Sequence, residues 1–241
     1  MSHGINESTH DLEQQLFQAL VSGDRQSCRQ LVAEATTSGL GAAELAREVY
    51  WSVLDTMNTL FRNDQISMLS YQYGTRLLRS LVDQAQAAYE QGTRRERTIC
   101  MFCGESEADD LAAQLVADLA EADGYDVFFG GSGIANDEIL SEVNQRRPDV
   151  LLLFSSGPRD APNIRELIDH VRGVNACPQM QIVVGGGIFN RAPGLAEEIG
   201  ADLWATSPRE LLAVLESMPE VRSELAANRA EARRHKLRHA A

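Results

Sequence analysis

No stretch of the sequence reaches the length of about 18 apolar residues that a membrane-crossing helix requires. The opening segment, MSHGINESTHDLEQQL, is polar and acidic, and lacks the basic region and apolar core of a signal peptide. Positive charge is also in deficit. The 22 Lys and Arg stand against 35 Asp and Glu, for a formal net charge of -13 and a pI near 4.8, the wrong sign for a surface that tracks phosphates. Neither a membrane nor direct nucleic-acid binding is therefore expected. Cysteine is scarce: Cys28, Cys100, Cys103 and Cys177 are too few and too scattered for a disulfide framework, which points to a reducing, cytoplasmic setting. Catalytic signatures are missing as well. With no Ser-His-Asp set, phosphate-binding loop or paired catalytic carboxylate, no catalytic residue is nominated and an independent enzyme is not expected. What is present is ordinary for a globular chain of 241 residues: 44% hydrophobic, 24% charged, mean hydropathy -0.25.

Residues 9 to 91 carry helical periodicity without a strand signal. Asp24 is a good N-cap for RQSCRQLVAEA, Gly39 and Gly41 end that helix, and Asn63-Asp64 breaks the next long pattern. In the following segment Leu69, Tyr73, Leu77, Leu81 and Ala85 keep i, i+4 spacing, giving four helices and a bundle over residues 1–92. Gly92 and TRRERT read as a linker, and Arg94-Arg95-Glu96-Arg97 and RRHKLRH as solvated helix ends or linkers. From Thr98 the pattern changes. The runs ICMF, YDVFF, DVLLLF, MQIVV and ADLWA alternate with helical segments of ten to eighteen residues, the signature of βαβ units and a parallel sheet. The expectation is a flavodoxin-like, doubly wound α/β domain of five strands over 98–218, with ligands at the strands' carboxyl ends. Residues 219–241 form an Arg-rich tail that no pattern ties to the core.

Helical cap, charged linker and doubly wound domain together resemble the cobalamin-binding modules of methionine synthase, corrinoid carrier proteins and light-sensing cobalamin regulators. The resemblance spans about residues 10 to 217. It rests on the turn Gly185-Gly186-Gly187 after MQIVV, on Gly200-Ala201-Asp202 before the last strand, and on Ser155-Ser156 after DVLLLF, where the family places a serine beside the cofactor's nucleotide tail. Two departures stand out. The family's first loop reads Asp-x-His-x-x-Gly, its histidine giving cobalt a nitrogen; here the matching stretch is Glu105-Ser106-Glu107-Ala108-Asp109-Asp110, with Glu107 at the histidine position. The light-sensing members also cover the corrin with a Trp and, ten residues on, Glu-His; the matching residues here are Phe61, Tyr71 and Gln72. The resemblance thus implies cofactor-binding residues Glu105, Glu107, Ser155, Ser156, Gly185, Gly186, Gly187, Phe61, Tyr71 and Gln72, and no metal ligand from the protein. The five histidines, His3, His10, His170, His235 and His239, fall outside the strand-end loops.

Other signals have plainer readings. Cys100 and Cys103, three apart in a strand, point to opposite faces, so their CxxC is expected to be two structural thiols. Gly130, Gly131 and Gly133 follow the second strand, not the first as a dinucleotide loop requires. Asp109 and Asp110 read as a solvated helix start. Three readings follow for function. The first is a sensor or regulatory module that holds cobalamin without a protein histidine, or another tetrapyrrole-like ligand such as a linear tetrapyrrole, and signals through a partner protein or an oligomer. The second is a corrinoid carrier for a methyltransferase system, and the third a ligand-free interaction module.

Overall fold

The computed structural model describes residues 2–222, the side chains of 2–8 excepted. The chain divides between Gly92 and Thr93 into two compact units.

The first unit is helical: α1 (Ser2–Ser22), α2 (Arg25–Thr37), α3 (Ala42–Glu44) continuing through a π-helical stretch (Leu45–Tyr50) into α4 (Trp51–Arg62), and α5 (Met68–Gln86). Side chains set the boundaries. Asp24 accepts the amides of Gln26 and Ser27 to start α2, Ser67 accepts that of Ser70 to start α5, and left-handed Asp64 turns the chain between α4 and α5. Leu16, Leu20, Tyr50, Leu54, Met57 and Leu78 fill the interior. The i, i+4 stripe of α5 holds only in its second half. Leu77, Leu81 and Ala85 are buried, whereas Leu69 and Tyr73 are 60% and 45% exposed. Each step of four residues overshoots a helical turn by about 40°, so such a stripe cannot face one core along the whole helix. At the start of α5 the buried line is Tyr71, Gly74, Thr75 and Leu78.

The second unit runs β1 (Thr98–Cys103), α6 (Glu107–Ala122), β2 (Asp126–Ser132), α7 (Asn136–Arg146), β3 (Val150–Phe154), α8 (Ala161–Val174), β4 (Gln181–Gly185), α9 (Gly187–Arg191), α10 (Leu195–Ile199), β5 (Leu203–Ala205) and α11 (Pro208–Ser217). All strands are parallel in the order β2-β1-β3-β4-β5, the doubly wound, flavodoxin-like arrangement expected from the sequence. Every residue of β3 and β4 is buried, as a sheet covered on both faces demands. One face, carrying Cys100, Phe102, Leu151, Leu153, Ile182 and Val184, packs on α7 and α8 through Ile139, Val143, Ile164 and Ile168.

Four details differ from the sequence reading. The FFGGS run is strand, not loop: β2 continues to Ser132, and Gly130 is the extra residue of a bulge, because Met101 pairs with Phe129 and Phe102 with Gly131. A Cβ at Gly130 would lie 2.6 Å from the Phe102 ring. The β4–β5 crossover consists of two five-residue helices rather than one long one. The arginine run is only partly solvated: Arg94 and Glu96 are exposed, as expected, while Arg95 and Arg97 are half-buried. Arg94 pairs with Asp126, Arg95 with Asp123 and Glu216, and Arg97 donates to Leu215 O and Gln181 Oε1. Guanidinium groups near the ends of α6 and α11 meet the free carbonyls and negative pole that helix C-termini present. The start of the tail is also anchored, since Gln181 Nε2 donates to Met218 O and Val221 O. RRHKLRH lies outside the described residues.

Candidate functional site

The carboxyl ends of β1, β3 and β4 are stitched together by backbone hydrogen bonds. Gly104 N donates to Phe154 O and Ser155 N to Gly185 O, both at 2.9 Å. Ser155, Ser156 and Gly185 to Gly187 therefore meet in one place. Gly187 N donates to Ser156 Oγ at 3.3 Å, and Arg191 Nη2 to Ser156 O at 2.5 Å. The Ser155 hydroxyl is fully buried and spent internally: it donates to Asp160 Oδ2 at 2.6 Å and accepts from Gly157 N at 3.2 Å. Ser156 is half-buried.

The glycine turn is shaped by the protein itself. Gly186 has φ 101°, and a Cβ there would sit 2.2 Å from Ser155 O. At Gly187 a Cβ would lie 2.5 Å from the Arg191 guanidinium, which the sequence reading did not single out.

Glu105 and Glu107 are exposed, Glu107 as the first residue of α6 behind the N-cap Ser106. Two residues on, Asp109 departs from the solvated helix start expected of it. It is 2% exposed, its Oδ2 accepts from Ser106 Oγ at 2.7 Å, and Oδ1 accepts no hydrogen bond. The S-x-x-D spacing of 106–109 was the sequence signal for this capping contact. Asp160 converges on the same spot, both carboxylates lying beside Gly104.

Burial pushes the Asp109 carboxyl up, with Asp160 adding to it, while Ser106 and Ser156 favour the charged form. The folded chain thus binds this proton more tightly than the unfolded chain. That contribution to stability is present at low pH and is lost as pH rises through the native titration. Asp109→Asn, which keeps an acceptor for Ser106, is expected to raise the melting temperature more at pH 7 than at pH 4. Equal shifts at the two pH values would contradict this.

Phe61, Tyr71 and Gln72 belong to the helical unit. The Phe61 and Tyr71 rings stack 4.2 Å apart at 13°, Tyr71 Oη donates to Asn58 Oδ1 at 2.7 Å, and Gln72 is half-buried. Cys100 is buried in the α7–α8 face while Cys103 Sγ lies 3.8 Å from Asp110 Oδ1 of α6; the two point apart, and all four cysteines are free. Among the described residues no group of three His, Cys, Asp or Glu is placed to hold a metal, and no helix is long and apolar enough to cross a membrane. His170 lies in the last turns of α8, away from the β3–α8 loop, and His10 is exposed on α1.

A parallel doubly wound domain with a helical companion and glycine turns at the strand ends has an architecture suited to ligand binding at those ends. Two B12 binding domain models match the chain, one over residues 97–213 and the other over 12–86. The chain belongs to this cobalamin-binding family. It is 20% identical over 209 residues to monomethylamine corrinoid protein 1 of Methanosarcina mazei, covering 84% of this chain and 95% of the relative. Its counterpart in Methanosarcina acetivorans is 19% identical over 212 residues, with the same shares covered. The structure of Methanosarcina barkeri monomethylamine corrinoid protein matches with a TM-score of 0.75 at 17% identity, covering 87% of this chain and 99% of that one, which establishes the shared fold.

The family implies a corrinoid, and the donor set at the strand ends is the test of fit. Glu105, Glu107 and the Ser156 hydroxyl offer oxygens there, with the Asp109 carboxylate buried behind them. Oxygen acceptors suit the amide groups on a corrin rim, and none of them supplies a nitrogen to cobalt.

Proposed function

We propose that the chain is a corrinoid protein of the carrier type, which holds its corrinoid without a histidine nitrogen from the protein and works with a partner methyltransferase. The observation that carries this reading is the oxygen-only donor set at the ends of β1, β3 and β4 in a chain of the B12 binding family. The likeness to monomethylamine corrinoid proteins supports the carrier over the sensor or regulator.

When bound, a corrinoid supplies a cobalt centre able to accept and release a methyl group. The chain's own residues hold and orient it. Glu105 and Glu107 would accept hydrogen bonds from rim amides, and Ser156 with the Gly185 to Gly187 backbone would line the place of the nucleotide tail. Arg191, stretched over Gly187 and donating to Ser156 O, would offer its guanidinium to a phosphate bound there. On the helical unit Phe61, backed by Tyr71, presents a flat aromatic surface with Gln72 as a polar neighbour.

Incubating the purified chain with hydroxocobalamin, desalting it and taking a visible spectrum tests the reading. Retention near one corrinoid per chain is expected. A desalted protein without corrinoid absorption would leave the fold as an interaction module and overturn the proposal.

A further inference from the structure

A cavity of about 360 Å3 opens on the α7–α8 side of the sheet, between the loops that follow β1 and β3. Strand order reverses there, and doubly wound sheets bind ligands at that point. Its size falls at the small end of small-molecule sites and is far too small for a corrin ring. The floor is apolar and well covered by protein: Phe102, Ile139, Leu153, Ile164 and Leu167 are each less than 9% exposed.

The rim carries charge of one sign. Glu105 and Asp160 line it, together with Asn136 and Asn163, and none of the lining side chains is Lys, Arg or His. The two asparagines are tied to each other, Asn136 Nδ2 donating to Asn163 Oδ1 at 2.8 Å. Ser155 takes one oxygen of Asp160, whereas Glu105 has neither a hydrogen bond nor an ion pair among the described residues. The first turns of α7 and α8 face the same edge, each adding about half a positive charge. Two full carboxylates on the rim, with Asp137 and Glu138 in the first turn of α7, outweigh that contribution.

We infer that this crevice is a second binding site, for a small organic cation. An alkyl- or arylammonium of modest size satisfies both halves of the cavity. Its hydrocarbon part replaces water on the apolar floor, with the Phe102 ring among the contacts, and its ammonium group supplies the counter-charge for Glu105 and Asp160. A neutral molecule of the same shape leaves the carboxylates unpaired, and an anion is repelled by them.

The site is separable from the corrinoid reading, because it is tested on corrinoid-free chain while corrinoid retention is read from the visible spectrum. The probe is phenethylammonium, compared with 2-phenylethanol and 3-phenylpropanoate, followed by methyl NMR of Ile139, Leu153 and Ile164. Saturable shifts of these methyls are expected, with the ammonium binding roughly tenfold more tightly than the alcohol and the carboxylate showing none. Glu105→Gln should weaken the ammonium about threefold to fivefold. Ala135→Phe, a change at the exposed rim that plugs the mouth, should abolish binding while the melting temperature holds. Equal binding of alcohol and ammonium, saturable binding of the carboxylate, no saturable shift with the ammonium at millimolar concentration, or an unaltered Glu105→Gln variant would each overturn the inference.

Discussion

Replacing Gly186 by valine is expected to remove roughly 3 kcal/mol or more from the stability of the second unit, with or without a ligand. Two effects add. The backbone at Gly186 has φ 101°, which side chains with a Cβ rarely adopt and β-branched ones least of all. A Cβ there would lie 2.2 Å from Ser155 O and 2.7 Å from Ser155 C, and backbone cannot swing away as a flexible side chain can. Gly185→Ala is the matched control. Its Cβ would meet Ala205 O and the Phe154 ring at 3.6 Å, ordinary contact distances, so a change within about 1 kcal/mol is expected. Urea unfolding of both variants checks the pair, and a Gly186→Val protein as stable as the parent would refute the turn as described. Lost corrinoid binding in Gly186→Val is consequently no evidence of a contact at that residue; Gly185→Ala is the cleaner probe of the groove.

Asp202→Ala is expected to cost about 3 to 5 kcal/mol. The Asp202 side chain has no exposed surface; it accepts from the Arg172 guanidinium and, at 2.6 Å, from Ile182 N. Arg172 is itself only 11% exposed and also donates to Met180 O at 3.1 Å. Removing the carboxylate leaves a buried cation and a buried amide without their acceptor. The contrast is Arg94→Ala, which breaks a pair with Asp126 whose side chains are 73% and 42% exposed; less than about 1 kcal/mol is expected there. Unfolding midpoints that fell equally for the two variants would refute the distinction.

These two residues also show how far the sequence could be read. Gly200-Ala201-Asp202 stood out as a family-like tripeptide, and its cause is visible only in three dimensions. Gly200 ends α10 in a left-handed conformation, and Asp202 ties β4 and α8 to the start of β5. The parallel sheet was legible because its central strands β3 and β4 are covered on both faces and read as apolar runs regardless of register. The helical caps were legible because Asp24 acts within three residues of itself. What was hidden depends on contacts distant in sequence. The spacing of Arg94, Arg95 and Arg97 does not reveal carbonyls at 123 and 215, and nothing near Asp109 announces Asp160. Gly130 looked like loop because a bulge keeps a glycine inside a strand, where Phe102 needs the space a side chain would take.

The most direct test of the account is the electron paramagnetic resonance spectrum of the Co(II) form of cobinamide bound to the chain. Cobinamide carries no base of its own, so any nitrogen on the axis of its cobalt must come from the protein. On the proposed motif correspondence Glu107 takes the place of a cobalt-binding histidine, and the account predicts a bound cobinamide whose spectrum lacks axial nitrogen hyperfine splitting. Splitting from a single nitrogen that changes on labelling the protein's histidines with nitrogen-15 would contradict it.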